Sequence, residues 1–169
     1  MTVSFVIAGI VLCIILSNFF SASEMAYSSC NELRLENAAE EGSRRARIAL
    51  IIIRHFDDAL SAILIGNNLV NIASSSLASV LVILLMGNDK MTWAATLILT
   101  LLIIIFGETI PKITAKQNAN RVSERHAYPV RFLMILLKPL ILHRPGLYTP
   151  LSLSSHAALR SQSLATLIT

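Results

Sequence analysis

Apolar positions fall in three long uncharged runs, followed by a fourth apolar stretch that charge interrupts. Met1 to Ser23 carries no charged side chain. A helix needs about 20 apolar residues to cross the hydrocarbon core, so this run predicts a first span. A cleaved signal peptide is the competing reading, but it would want a basic start and a shorter apolar stretch. The second run, Ala59 to Asn88, has 30 residues and exceeds one perpendicular crossing. It predicts a tilted span, or one whose polar first half is not plain lipid-facing helix. Gly87-Asn88-Asp89-Lys90 then reads as a turn. The third run, Met91 to Gly107, is a short 17 residues and stops at Glu108. Pro111 follows three residues later and is expected to kink or break the helix. Ala127 to Leu142 is apolar but holds Arg131, Lys138, Pro129 and Pro139. It predicts a helix lying in the interface, cationic side chains towards headgroups. A fourth, poorly formed span is the alternative.

Charge orients these elements. Lys and Arg number five between the first two spans, one in the turn after the second, and eight beyond the third. Cytoplasmic loops carry the excess of Lys and Arg. The N-terminus is therefore expected outside, Cys30–Phe56 in the cytoplasm, Gly87–Lys90 outside and the C-terminus in the cytoplasm. Asn31–Arg54 reads as helical, with Gly42 dividing two helices. The pairs Glu40–Arg44 and Glu41–Arg45 have the favourable i,i+4 order.

Composition agrees with a membrane protein. The 169 residues are 54% apolar and 14% charged, with a mean hydropathy of +0.67. A soluble domain carries roughly 25% charged residues. The pI of 9.4 could suggest nucleic acid. The basic residues are already explained as topology determinants, so no nucleic-acid partner is expected. Two cysteines, Cys13 and Cys30, exclude a disulfide scaffold or zinc ribbon.

The chemistry lies in polar residues within the apolar runs, where polar side chains are costly and usually face the protein interior or a water-filled site. Three clusters stand out. Ser21, Ser23 and Glu24 end the first span. Asn67, Asn71, Ser74 and Ser75 form one stripe of the second. Gly107, Glu108, Pro111 and Lys112 mark the third. Singly, serine permits close helix packing, asparagine bridges helices, and Glu108 could pair with Lys112. Together they offer hydroxyl, amide and carboxylate oxygens from three spans. Hard oxygen donors favour Mg²⁺, Ca²⁺ or Na⁺ over zinc, copper or iron. All four histidines fall outside the uninterrupted runs, and no catalytic arrangement is evident, so no enzyme activity is expected.

Four motifs in order carry a resemblance. They are Phe19-Phe20-Ser21-Ala22-Ser23-Glu24-Met25-Ala26; Leu33-Arg34-Leu35 with Ala39-Glu40-Glu41-Gly42; Gly66-Asn67-Asn68-Leu69-Val70-Asn71; and Phe106-Gly107-Glu108-Thr109-Ile110-Pro111-Lys112. The chain resembles the transmembrane domain of the CorC/CNNM family through about Leu142. The resemblance implies Mg²⁺ export in exchange for Na⁺. It also implies an all-α membrane protein, with three transmembrane helices plus a cytoplasmic-side interfacial (belt) helix, assembled as a homodimer. It places an ion site on Ser21, Asn67, Glu108 and the Gly107 carbonyl, with Ser23, Asn71, Glu24 and Lys112 as further candidates. Which asparagine ligates directly is left open.

Residues 1–142 are thus read as a CNNM-type transmembrane domain in the lipid bilayer. Residues 143–169 read as a divergent tail, disordered or weakly helical. The ATP-binding CBS domains usual in the family are not expected in this chain, which leaves nucleotide regulation open. The leading function is cation transport at the cell membrane. The alternative is a non-transporting membrane module that binds a cation or a partner protein.

Overall fold

A computed structural model describes residues 2–86 and 92–141. The Gly87–Lys90 turn and the 143–169 tail lie outside the described residues. Within them the chain is all α-helical: α1 (Thr2–Ser29), α2 (Glu32–Glu40), α3 (Arg44–Arg54), α4 (Phe56–Met86), α5 (Thr92–Ile104), a π-helical turn (Ile105–Thr109), α6 (Ile110–Gln117) and α7 (Ala119–Ile141). Three stretches are long and apolar enough to cross a membrane: Thr2–Ser29, Phe56–Leu85 and Thr96–Gln117. Their outward faces are studded with exposed Phe5, Leu12, Ile15, Leu69, Leu85, Leu97 and Leu101. In water such surfaces would drive aggregation; in lipid they are the solvated surface.

The third span corrects an expectation. It does not stop at Glu108 or break at Pro111 but continues helically to Gln117. The backbone widens instead. The Ile110 N–H bonds to the Ile105 carbonyl, five residues back rather than four. Pro111 follows at the start of α6, where its missing N–H costs little. Single π-turns of this kind concentrate at functional sites.

Among the described residues, two apolar clusters hold the spans together. Ile10 of α1, Ala78 of α4 and Ile103 of α5 are buried together, with Val6, Ile14, Leu77, Leu81 and Leu99 against them. Ala22 and Ala26 of α1 meet Ala115 of α6, with Met25 and Val122 alongside. Small side chains there let the helix backbones approach closely. Gly66 shows the same economy. A Cβ at that position would stand 2.6 Å from the Phe20 ring.

α2 and α3 pack on each other. Asn31 caps α2 by accepting from the Arg34 N–H at 3.1 Å, and Ser43 caps α3 by accepting from the Ala46 N–H at 3.2 Å. Gly42 divides the two helices with a φ of 102°, a left-handed conformation that favours glycine. The division also separates the expected Glu40–Arg44 and Glu41–Arg45 partners. Glu40 ends α2, Glu41 caps it, and both arginines begin α3. Among the described residues, the ion pairs are instead made by Lys112.

The interfacial helix α7 starts at Ala119, eight residues before the expected Ala127. Its inner face is Ala119, Ser123, Ala127, Val130 and Met134, all buried at helical spacing. The polar residues of its first two turns hide this periodicity from a reading of apolar content. Tyr128, Phe132, Ile135 and Leu136 lie exposed on the other side, as suits a helix against the membrane interface. Tyr27 ties α7 to α1, its hydroxyl donating to the Ser123 carbonyl at 2.8 Å.

Candidate cation site

A polar layer lies between the two apolar clusters. Its centre on α1 is the stripe Ser17, Ser21 and Glu24, at +4 and +7 along one helix face. Ser17 and Ser21 are fully buried. The Ser17 hydroxyl lies 3.3 Å from Asn71 Oδ1 and 3.5 Å from Asn67 Oδ1, both on α4. On the third span, a Cβ added at Gly107 would come 3.3 Å from Ser17 Oγ. Glycine there lets the π-turn backbone sit directly against the α1 hydroxyl. Ser17 is thus a polar point at which the three spans meet.

Expected residues distribute as follows. Asn67 and Gly107 are buried beside Ser17, and Asn71 is half-buried. Ser21 is completely buried, and its Oγ has no hydrogen-bond partner. Ser74, one turn beyond Asn71, is in the same condition. Buried hydroxyls are almost always hydrogen-bonded, so the Ser21 oxygen, one helical turn from Ser17, is left free to accept from or ligate a polar guest. Ser75 of the expected stripe is exposed instead.

Glu108 of the π-turn is half-buried. Its Oε1 accepts from Lys112 Nζ at 3.3 Å, and the same ammonium lies 3.2 Å from Glu24 Oε2 on α1. This Glu24 oxygen is buried, yet accepts no well-aligned hydrogen bond. Lys112 therefore clasps two carboxylates from two spans. Glu108 and Lys112 satisfy the packing expectation of an i,i+4 pair and remain beside the oxygen layer at the same time.

Ser23 stands apart from this layer. Two residues from Ser21, it faces α7. Its single hydroxyl proton goes to the Phe19 carbonyl at 2.7 Å. It must then accept from His126, whose Nδ1 lies 2.9 Å away. That assigns the proton to Nδ1. Burial lowers the His126 pKa below the ordinary imidazole value, and neighbouring Arg125 lowers it further. The ring, packed 4.8 Å from Phe19, is the neutral partner this arrangement needs. These two bonds tie Ser23 to α7 rather than to the Ser17 layer, and one lone pair of its hydroxyl is left over.

The donor set fits a hard cation. Hydroxyl and amide oxygens make up the layer, and the carboxylates follow in the chain, Glu24 three residues after Ser21 and Glu108 next to Gly107. In α register the Gly107 carbonyl would bond the residue-111 N–H, which proline lacks. Among the described residues, no three His, Cys, Asp or Glu side chains gather as a metal cluster. Such a site would therefore rest on one or two carboxylates and neutral oxygens. Sequence reasoning passed over Ser17. Its signal was the helical spacing Ser17–Ser21–Glu24 within an uncharged run.

Three apolar helices around a buried layer of oxygen donors define a multi-pass α-helical membrane protein. The cyclin M transmembrane N-terminal domain (CNNM) family matches residues 8–164, and the chain belongs to that family. The match runs past Leu142 into the segment read as divergent. A UPF0053 protein of Haemophilus influenzae is 36% identical over 132 residues, covering 78% of this chain and 31% of the relative. The UPF0053 inner membrane protein YfjD of Escherichia coli is 37% identical over 130 residues, covering 75% and 29%. A chloroplastic DUF21 domain-containing protein of Arabidopsis thaliana is 30% identical, covering 78% and 20%. The chain spans about three tenths of the length of the two bacterial relatives.

Proposed function

We propose that the chain binds a hard divalent cation, Mg²⁺, in the layer between its spans and carries it out across the membrane in exchange for Na⁺. The observation that carries this reading is the fully buried, unpartnered Ser21 hydroxyl within a layer of oxygen donors from three spans. Ser21, Asn67, the Gly107 carbonyl and Glu108 are the proposed ligands. Ser17 and Asn71 complete or orient them. Glu108 supplies the formal charge. Mg²⁺ gives up water reluctantly, so some of its shell stays with it and a complete protein cage is not required. The N-terminus lies outside, on the distribution of Lys and Arg. Two copies assemble as a homodimer.

The Glu24–Lys112–Glu108 clasp favours a second reading, a membrane module whose carboxylates serve only to join α1 to the third span. Thermal unfolding of the purified chain in mild detergent, with and without Mg²⁺, separates the two. Mg²⁺ that binds the folded state should raise the unfolding midpoint by mass action. Glu108→Gln should abolish that rise and leave the ion-free protein folded. Full Mg²⁺ protection in the Glu108→Gln protein sinks the ligand assignment. Flux from Mg²⁺-loaded proteoliposomes then distinguishes carriage from binding alone.

A further inference from the structure

We propose that Lys112 sets the charge of the cation site, and with it the choice between monovalent and divalent ions, by lying between Glu24 and Glu108 or withdrawing from them. The inference rests on the reading of Glu108 as a cation ligand.

Lys112 Nζ stands 3.2 Å from Glu24 Oε2 and 3.3 Å from Glu108 Oε1. All three side chains are only about a quarter to a third exposed, at 27%, 25% and 30%. The ammonium is shared between two carboxylates rather than committed to one. Another cation could take over either contact. A lysine suits such exchange. Its ammonium is a compact, strongly hydrated charge on a flexible four-carbon stem, whereas an arginine fork would bind both carboxylates in fixed geometry.

Charge arithmetic gives the consequence. Two carboxylates and one ammonium sum to −1. A monovalent ion added to this group brings it to zero. A divalent ion brings it to +1, with the ammonium held beside the metal. Uncompensated charge in a poorly solvated setting is costly. If Lys112 swings away, the carboxylates sum to −2, which a divalent ion neutralises. Lys112 held in place therefore matches the site to Na⁺, and Lys112 withdrawn matches it to Mg²⁺. Between ions it serves as a tethered cation that offsets one of the two carboxylate charges. Lys112 is thus a specificity-determining residue that need not touch the transported ion.

The test is binding, not transport. Unfolding midpoints of the full chain in mild detergent are titrated with MgCl₂ and with NaCl at constant ionic strength, giving an apparent Kd for each ion. Lys112→Met should raise the Mg²⁺-over-Na⁺ affinity ratio by about tenfold or more, since it turns −1 into −2. Lys112→Arg, which keeps the charge, should hold the ratio near that of the unmodified protein or below it. If Lys112→Met does not fold, Glu24→Gln gives the opposite arm. It leaves Lys112 facing Glu108 alone, a sum of zero, and should lower the ratio by about tenfold. An unchanged ratio in either variant overturns the proposal. Where Glu108→Gln has abolished Mg²⁺ protection, that result leaves the ion site standing and makes Lys112 a structural clasp. Where Glu108→Gln has left protection intact, the site reading fails and this inference fails with it.

Discussion

The Ser17 hydroxyl lies within reach of two amide oxygens, Asn67 Oδ1 and Asn71 Oδ1, and can donate its proton to only one at a time. It therefore holds α4 loosely in register with α1 and leaves an amide lone pair for another partner. Ser17→Ala should lower the stability of the ion-free protein by about 1 kcal/mol, the scale of interhelical hydrogen bonds within membranes. It should also weaken Mg²⁺ protection, by less than Glu108→Gln does, because a neutral neighbour is lost rather than the charge. Thermal unfolding in detergent reads both, and undiminished Mg²⁺ protection would remove Ser17 from the site. At this scale the sequence was informative where a residue type is rare in its surroundings. Asn67, Asn71 and Glu108 are conspicuous in apolar runs, and they fall in or beside the oxygen layer. A lone serine is not conspicuous, and Ser17 was hidden for that reason. Ser23 shows the converse. It stands two residues from Ser21, and its helical phase directs it to His126 on α7. That partner is 103 residues away, and local spacing could not reveal it.

Among the elements, α1 and α4 run together because one glycine lets a ring in. A Cβ at position 66 would come within 2.6 Å of Phe20, itself buried. Gly66→Ala should destabilise by about 1–3 kcal/mol, the usual cost of overpacking. Phe20→Leu in the same chain should recover part of the loss, because the ring and the added methyl compete for one space. Additive losses in the double variant, measured by denaturation of singles and double together, would show that the contact is not the cause. The first two spans were legible because length and hydropathy suffice to place them. The end of the third was not. Glu108 and Pro111 read as stop signals, yet a π-turn absorbs both without ending the helix. The backbone shift by one residue has no composition of its own. The start of α7 escaped for a different reason. Its first two turns bury Ala119 and Ser123, and these small residues carry no hydrophobic signal.

In the whole molecule, membrane character was legible from composition alone, but orientation and assembly are relations that no single chain contains. The orientation proposed from the distribution of Lys and Arg has Ser43 inside and Asn88 outside. Membrane-impermeant labelling of Ser43→Cys and Asn88→Cys in intact cells should modify only the second, and labelling of both from one side would defeat the topology. The proposed homodimer would be built on α4. Among its small residues, Ser74 and Ala78 are buried within the single chain, while Ala73 and Ser75 stay on its surface. Exposed Asn68, Ser75 and Ser76 join half-buried Asn71 and exposed Ile72 around a shallow groove on the outer face of this span. Ser76 satisfies its hydroxyl on the Ile72 carbonyl at 2.9 Å, but an asparagine amide facing lipid has no such inexpensive neighbour at every one of its groups. A second copy laid against the groove would supply partners and allow close approach across the small residues. With Cys13 and Cys30 replaced, Ser75→Cys should therefore cross-link into a covalent dimer at a yield independent of protein concentration in mild detergent. Phe5→Cys, on the lipid-facing side of α1 at 76% exposure, should not. Cross-linking that appears only as concentration rises, or equally at both positions, would mean that random collision rather than a built interface brings the chains together.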